Sequence, residues 1–256
     1  GLTGAQVAYL LRCWRHVRRY KPQHSLCIVG LSATLTQAES FFAQLTGIPL
    51  YNVGYVFPQE RDLIEEGMEY NLVLKGDPVS STSLLSTSVQ TAMLLSRVLD
   101  SRRAGKANIS KDAIGSKIFA FTDKLDVINR WYHIERDAET KQVLAKFRSF
   151  DLIPAHQRQM QNSLGQVWKI CEDIGHNLQS PLILDLTSSQ NRGVDPAAEL
   201  VIATSTLEVG FNDPEVGAVL QHKAPRSLAS FLQRKGRAGR TRIMRPWTVV
   251  VASAYG

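Results

Sequence analysis

The stretch Gln233-Arg234-Lys235-Gly236-Arg237-Ala238-Gly239-Arg240 holds two Gly-Arg steps three residues apart. Glycine lets a backbone approach a phosphate closely. The planar guanidinium of arginine matches phosphate oxygens with a fork of donors and stays charged. The amide of Gln233 is suited to hold such an array or to orient a water molecule. Alone, the stretch predicts either a phosphate-binding turn or a solvated basic turn, and the residues upstream decide between the two.

The composition of the chain is that of a globular protein with a basic surface. Its 256 residues are 44% hydrophobic, and the net charge of +7 favours a polyanionic partner. Three cysteines, an odd number without metal-ligand spacing, indicate reduced thiols and a cytoplasmic protein. No apolar run reaches transmembrane length and no signal peptide is recognised, so we expect no membrane partner.

Short apolar runs alternate with helical patterns along the chain. We predict strands at Leu26–Gly30, Tyr70–Leu74, Lys117–Phe121, Pro181–Leu186, Leu200–Ala203, Val216–Leu220 and Trp247–Ala252. Helices are predicted at Gln6–Tyr20, at Gln37–Leu45 behind a capping box that starts at Thr36, from about Ser83 to Leu99, from Leu125 onward and from Ser227 into Gln233. This alternation predicts an α/β fold, with a parallel sheet and helices on both faces.

Polar clusters follow the predicted strands at the points where the strands end. They are Ser32/Thr34, Thr122/Asp123, Thr187–Gln190 and Thr204–Thr206. The carboxyl ends of parallel strands lie on one edge of a sheet, where open α/β sheets bind ligands. We therefore predict one long polar rim, with the arginine turn entering nearby.

These stretches resemble motifs III to VI of superfamily 2 helicases, in the family's order. The matching residues are Ser32-Ala33-Thr34, Ile118–Thr122, Ala203–Pro214 and Gln233–Arg240, the last in the Gln-x-x-Gly-Arg-x-Gly-Arg form of DExH-type members. The resemblance implies a RecA-like fold: the tail of a first lobe in residues 1–50, a linker at 51–67, and a second lobe at 68–256. Residues 132–180 match nothing in the family and are predicted to form a solvated helical insertion. The alternative is a nucleic-acid contact, because basic and aromatic residues are interleaved there: Lys141, Lys146, Arg148, Arg158, Trp168 and Lys169.

The resemblance also implies a role for each matching residue. Arg237 and Arg240, beside Gln233, would be catalytic arginine fingers at the γ-phosphate of ATP. The other implied roles are ATP binding by Gly210, Asn212 and Gly236, nucleic-acid binding by Thr122, Thr204, Ser189 and Gln190, and coupling of the two by Ser32 and Thr34. Asn212 stands where many members have an Asp that binds the ribose, so it keeps an acceptor and loses the charge.

The chain departs from the family by lacking two motifs. It has no Gly-x-x-x-x-Gly-Lys-Ser/Thr loop, since Ala104-Gly105-Lys106-Ala107 lacks both the hydroxyl and the upstream glycine, and it has no Asp-Glu-x-His box. The phosphate cradle, the Mg²⁺ ligands and the water-activating carboxylate are therefore expected outside this chain, in the first lobe of a longer protein. His133, Cys171 and His176 lack a fourth ligand at any recognisable spacing, so no metal site is expected here.

These observations lead to two hypotheses of different classes. The first is an ATP-dependent helicase or translocase, with ATP and Mg²⁺ as cofactors and DNA, or alternatively RNA, as partner. The second is a non-catalytic nucleic-acid-binding scaffold that keeps a degenerate lobe; the two arginines argue against it. A weaker likeness, from Pro225 through Gln233–Arg240 to Val249, links the chain to helicase-like proteins of bacterial phage-defence clusters such as the Dpd systems, and so to defence-system subunits as partners.

Overall fold

The computed structural model describes residues 2–19, 27–32, 35, 37–62, 67–76, 83–102, 109–188, 193–208 and 211–253. The chain divides into two compact units, Gly1–Glu65 and Glu66–Gly256. Among the helices of the described ranges, none is long and apolar enough to span a membrane.

The first unit is built on two helices, α1 (Leu2–Arg19) and α2 (Ala38–Thr46). Two arginines of α1 bind the end of α2: Arg12 Nη2 donates to the Gln44 carbonyl at 2.8 Å, and Arg15 Nη1 donates to the Thr46 carbonyl at 2.9 Å. The last carbonyls of a helix have no partner within the helix and carry partial negative charge. The basic side chains of α1 therefore stabilise the C-terminus of α2.

The strand predicted at Leu26–Gly30 is wrong over residues 27–30. These residues have no regular structure, and the Val29 side chain is 76% exposed. A strand needs a hydrogen-bonded neighbour, and the described part of this unit contains no other strand to supply one. The predicted capping residue Thr36 lies outside the described residues, whereas the helix that follows it is confirmed as α2.

The second unit is a six-stranded parallel sheet, which confirms the predicted α/β class. Its strands are β1 (Tyr70–Lys75), β2 (Lys117–Phe121), β3 (Leu184–Thr187), β4 (Leu200–Ala203), β5 (Val216–His222) and β6 (Trp247–Ala252). They lie in the order β1-β6-β5-β2-β4-β3, and every neighbouring pair is parallel. The continuous apolar runs of β2, β4 and β5 are wholly buried, as expected of strands covered on both faces.

Helices cover both faces of the sheet. Alternate residues of β2 separate the two cores: Ile118 and Ala120 pack into one, and Phe119 and Phe121 into the other. The first core lies under α3 (Leu84–Val98), α4 (Leu125–Arg136) and α6 (Lys169–Asp173). The second lies under the single turn Ser205–Glu208 and the residues after α7 (Leu228–Lys235). The six strands and four helices named here for this unit lie where the periodicity predicts helix or strand.

Residues 132–180 consist of short pieces rather than long helices. After α4 come a π-helical turn (Asp137–Lys141), three single 3₁₀ turns (Leu144–Arg148, Phe150–Leu152 and Ala155–Gln157), α5 (Arg158–Ser163) and α6. Apolar side chains from this region enter the first core, among them Ala138, Ala145, Cys171 and Leu178. Part of the region is therefore integral to the second unit.

A buried ion pair joins this region to α3. Arg97 Nη1 and Nη2 donate to the two carboxylate oxygens of Glu139 at 2.8 and 2.7 Å, and both side chains are 1% exposed. Glu139 also accepts from the Leu182 amide at 3.0 Å. One turn earlier, Glu135 accepts from Trp131 Nε1 at 3.0 Å, and burial raises the pKa of Glu135 well above its ordinary value. Arg97 thus stabilises the charged form of Glu139, whereas burial disfavours the charged form of Glu135.

Candidate functional site

Helix α7 leads into the arginine turn, residues 236–240. Its first turn is capped by Ser227, whose hydroxyl accepts from the Ser230 amide at 3.2 Å. After the helix the chain folds back, and the Gly239 amide donates to the carbonyl of Val216, the first residue of β5, at 3.1 Å. Gly239 has φ 72°, and a Cβ there would lie 2.6 Å from Pro246 Cγ. Only glycine fits this position without strain.

Two cations of the quoted stretch bind carboxylates of the same unit. Arg234 is buried; its guanidinium pairs with Asp123 at the end of β2 and lies 5.5 Å from the ring centroid of Phe121. Lys235 pairs with Glu69, just before β1. Both residues attach α7 to the lobe. The sequence motif did not separate Arg234 and Lys235 from the other cations of the turn. The only sequence sign of a partner for Arg234 was Asp123 at the end of a predicted strand.

The two predicted arginine fingers have different surroundings. Arg237 is half-buried, and its Nη1 donates to the Phe211 carbonyl at 2.5 Å. The Phe211 ring in turn packs on Phe119, with centroids 5.7 Å apart. Arg240 is exposed and makes no hydrogen bond or ion pair with any residue in the described ranges. Arg237 therefore joins the turn to the loop at 211–213, whereas the guanidinium of Arg240 is open to a ligand.

A buried lysine of β2 binds the loop at 211–213. Lys117, at the start of β2, is 1% exposed, and its Nζ donates to Asp213 Oδ2 at 2.6 Å. The other oxygen of Asp213 accepts from the Glu215 amide at 3.0 Å. Asn212, between Phe211 and the anchored Asp213, is exposed. Asn212 is thus presented to solvent on the loop that Arg237 contacts, and Gly210, predicted to bind ATP, lies outside the described residues.

The remaining predicted ATP-site residues lie on α7 or at its end. Gln233 is half-buried in the last turn of α7, and Gly236 is exposed immediately after the helix. Gly236 has an ordinary φ of −67°, so its backbone conformation does not require glycine.

Two of the predicted nucleic-acid residues, Thr122 and Thr204, lie at the carboxyl edge of the sheet. The Thr122 amide donates to the Ala203 carbonyl at 3.0 Å, and the Thr204 amide donates to the Thr187 carbonyl at 3.4 Å. The strand ends of β2, β4 and β3 are therefore adjacent, as predicted. Thr122 is 2% exposed and Thr204 is 8% exposed. Ser189 and Gln190 lie outside the described residues, as does Thr34, while Ser32 is an exposed residue of the first unit.

The rim and the arginine turn lie at opposite edges of the sheet, which corrects the prediction that the turn enters beside the rim. Gly239 binds the first residue of β5, whereas Thr122 and Thr204 follow the last residues of β2 and β4. The reason is the direction of α7. This helix starts after the carboxyl end of β5 and runs back, so the turn that follows it reaches the amino end of β5. Within the quoted stretch, Arg234 reaches the rim through its ion pair with Asp123.

A buried histidine, His222, is the last residue of β5. His222 Nδ1 lies 2.7 Å from the hydroxyl of Ser88 on α3, and its ring centroid lies 5.8 Å from that of Trp131 on α4. Burial, together with the neighbouring charge of Lys223, lowers the pKa of His222 to about 4. The imidazole is therefore neutral at physiological pH.

This histidine predicts acid sensitivity of the second unit. The folded state binds fewer protons than the unfolded state between the ordinary pKa of 6.5 and the folded pKa of about 4. Stability from this group is thus complete above pH 6.5 and is lost as pH falls towards 4. We expect His222→Gln to flatten this part of a pH–stability curve measured by urea unfolding. Replacing the exposed His156 by Gln is the control, and an equal change in both variants would contradict the assignment.

Comparison with known families gives one match within the chain. Residues 187–242 match the model of the helicase conserved C-terminal domain. The match includes the strand ends of β3 and β4, the loop at 211–213 and the whole arginine turn, and it confirms the resemblance to the C-terminal lobe of helicases. No curated protein sequence matches the chain.

Several solved helicase structures are similar to the chain at low identity. The S. cerevisiae Dbp5 structure bound to RNA and ADP BeF3 has 13% identity and a TM-score of 0.48, covering 92% of this chain and 47% of that chain. Mss116p DEAD-box helicase domain 2 bound to an RNA duplex has 13% identity and a TM-score of 0.38, covering 73% and 55%. Mycobacterium smegmatis Lhr bound to ssDNA and AMP-PNP has 15% identity and a TM-score of 0.37, covering 72% and 19%. The chain thus spans about half of the first two of these structures and about a fifth of the third.

Proposed function

We propose, from the helicase C-terminal match of residues 187–242, that this chain is the second motor lobe of an ATP-dependent helicase or translocase that acts on nucleic acid, with DNA preferred. The observation that carries the proposal is that the four cations of Gln233–Arg240 differ in whether the fold binds them. Arg234, Lys235 and Arg237 are bound within the unit, and Arg240 is exposed beside them. A turn that served the fold alone would have no use for Arg240.

In this proposal the residues of the turn act on the phosphates of ATP. Arg240 donates to the γ-phosphate and stabilises the negative charge that develops on its oxygens during transfer. Arg237 holds the turn against the loop at 211–213, beside the same phosphate. Asn212, exposed on that loop, accepts a hydrogen bond from a ribose hydroxyl. Gln233 supports the turn from the last turn of α7.

The described residues of this chain do not form a Mg²⁺ site. The described ranges contain no group of three His, Cys, Asp or Glu side chains able to bind a metal ion, and the sequence lacks a phosphate-binding loop. We therefore assign the metal, the phosphate cradle and the water-activating carboxylate to a partner RecA-like lobe of a longer protein. ATP hydrolysis would then require both lobes.

Nucleic acid would lie along the opposite, carboxyl edge, at the ends of β2, β3 and β4. Contacts there, from Thr122 and Thr204 together with Ser189 and Gln190, would reach the phosphate backbone and so carry no sequence information. The assignment to DNA is checked by the affinities for single-stranded oligo(dT) and oligo(U) of equal length. Tighter binding of oligo(U) would contradict it.

ATP turnover by the chain alone and by the full-length protein tests the proposed function. We expect no turnover by the chain alone, with or without nucleic acid, and nucleic-acid-stimulated turnover by the full-length protein. Turnover by the chain alone would contradict the need for a second lobe. A full-length protein that binds nucleic acid without hydrolysing ATP would support the scaffold hypothesis instead.

A further inference from the structure

Residues 144–170 carry an unusual balance of charge for a folded surface. The segment contains four cations and a single carboxylate: Lys146, Arg148, Arg158 and Lys169 against Asp151. It also contains the aromatic residues Phe147, Phe150 and Trp168. None of these residues is used by the proposed motor site.

The structure places each of the four cations against an aromatic ring. Lys146 Nζ lies 5.0 Å from the Phe147 centroid, and the Arg148 guanidinium lies 5.9 Å from that of Trp168. Arg158 and Lys169 both lie over Phe150, at 4.9 and 5.7 Å. We call these seven residues the cation–aromatic surface.

Hydrogen bonds hold this surface together from both ends of the segment. The Trp168 amide donates to the Arg148 carbonyl at 2.9 Å. Glu172 accepts from the Ser149 hydroxyl at 2.5 Å and from the Phe150 amide at 3.0 Å. The two ends of the segment, which carry Phe150 and Trp168, are thus linked before any ligand binds, which lowers the entropic cost of binding.

The outward side of the surface is apolar and positively charged. Phe147 is 60% exposed, and four aliphatic side chains of the region are more than half exposed: Leu152, Met160, Leu164 and Ile170. Lys169 pairs with Asp173, and no ion pair to a carboxylate of the described chain is found for Lys146, Arg148 or Arg158. The surface therefore offers three cations that form no ion pair with a carboxylate of the described residues.

We propose that the cation–aromatic surface binds single-stranded nucleic acid, as a contact separate from the strand-end rim. The cations attract the phosphates, and exposed rings such as Phe147 stack on bases, a combination typical of non-sequence-specific single-strand binding. A rigid apolar protein partner would have to desolvate the same cations, which is costly unless it supplies carboxylates. The proposal does not rest on the motor function, because the surface would bind nucleic acid in a chain that hydrolyses no ATP.

Fluorescence anisotropy of labelled oligo(dT) and oligo(U) with the chain tests the surface. We expect Phe147→Ala to weaken binding about tenfold, as loss of one stacked base does. Removing the charges of Lys146 and Arg158 by substitution with Gln is expected to lower the slope of log Kd against log salt concentration by about 0.7 per cation. Thermal unfolding of each variant checks that the fold is retained.

Two matched variants outside the surface serve as controls. Lys141→Gln removes an exposed cation that pairs with Asp137, and Tyr51→Ala removes a highly exposed ring of the first unit. Both should bind as tightly as the unmodified chain. Wild-type affinity and salt slope in the Phe147 and Lys146/Arg158 variants would overturn the proposal while leaving nucleic-acid binding at the rim intact. ATP turnover by the full-length protein is scored separately, so a failure of the motor function is distinguishable.

Discussion

In the full-length protein, Arg240→Ala is expected to lower kcat for ATP hydrolysis by about 10³–10⁵, with the Kd for ATP changed little. The exposed guanidinium acts only on the charge that develops in the transition state, so its removal costs rate rather than ground-state binding. Single-turnover hydrolysis and equilibrium binding of a fluorescent nucleotide measure the two quantities separately. Near-normal turnover would remove Arg240 from the catalytic site.

Two other arginines calibrate this result. Arg245→Ala removes an exposed arginine five residues further on, and its turnover should match that of the unmodified protein. Arg237→Ala should lower both turnover and thermal stability, because it also breaks the contact with the Phe211 carbonyl. A loss of turnover without loss of stability in this variant would show that Arg237 acts on the phosphate alone.

The largest expected effect on stability is that of Arg97→Met, which should lower the free energy of unfolding by about 3–5 kcal/mol. The substitution leaves the Glu139 carboxylate buried, at 1% exposure, without its cation. A buried, uncompensated charge is the costly species, and methionine fills much of the volume of the arginine stem. Urea unfolding of the chain, followed by circular dichroism, measures the change.

A double variant separates the cost of the orphaned charge from the value of the pair. Arg97→Met with Glu139→Gln removes both charges and keeps an oxygen that accepts from the Leu182 amide, so most of the lost stability should return. Lys169→Met breaks an exposed ion pair with Asp173 and should change stability by less than about 1 kcal/mol. A double variant as unstable as Arg97→Met would show that the packing of Arg97, rather than its charge, matters.

The sheet could be predicted because its strands are encoded by local pattern. Ile118–Phe121 and Val249–Ala252 are continuous apolar runs, and the structure has strands at Lys117–Phe121 and Trp247–Ala252, with the predicted bounds. Such runs suit strands that are covered on both faces. The same pattern failed at Leu26–Gly30, because an apolar run becomes a strand only where a neighbour can share its hydrogen bonds.

The site was only partly predictable, because its long-range contacts leave no local pattern. Lys117 and Asp213, whose ion pair anchors the loop at 211–213, are 96 residues apart in the sequence. The motif identified Arg237 and Arg240 together, since both follow a glycine at equal spacing. Their surroundings differ because the Phe211 carbonyl, from a distant part of the sequence, accepts a hydrogen bond from Arg237 and not from Arg240. The opposite placement of rim and turn followed from the direction of α7, which strand-end clusters alone do not reveal.

The end of α7 and the arginine turn are attached at opposite edges of the sheet, and this has a mechanical consequence. Arg234, in the last turn of α7, binds Asp123 at the carboxyl edge, and Gly239 binds the Val216 carbonyl at the other. These two attachment points are five residues apart, and Arg240 directly follows the second. A strand of nucleic acid that displaced Asp123 at the rim would therefore pull on Arg234, six residues before Arg240.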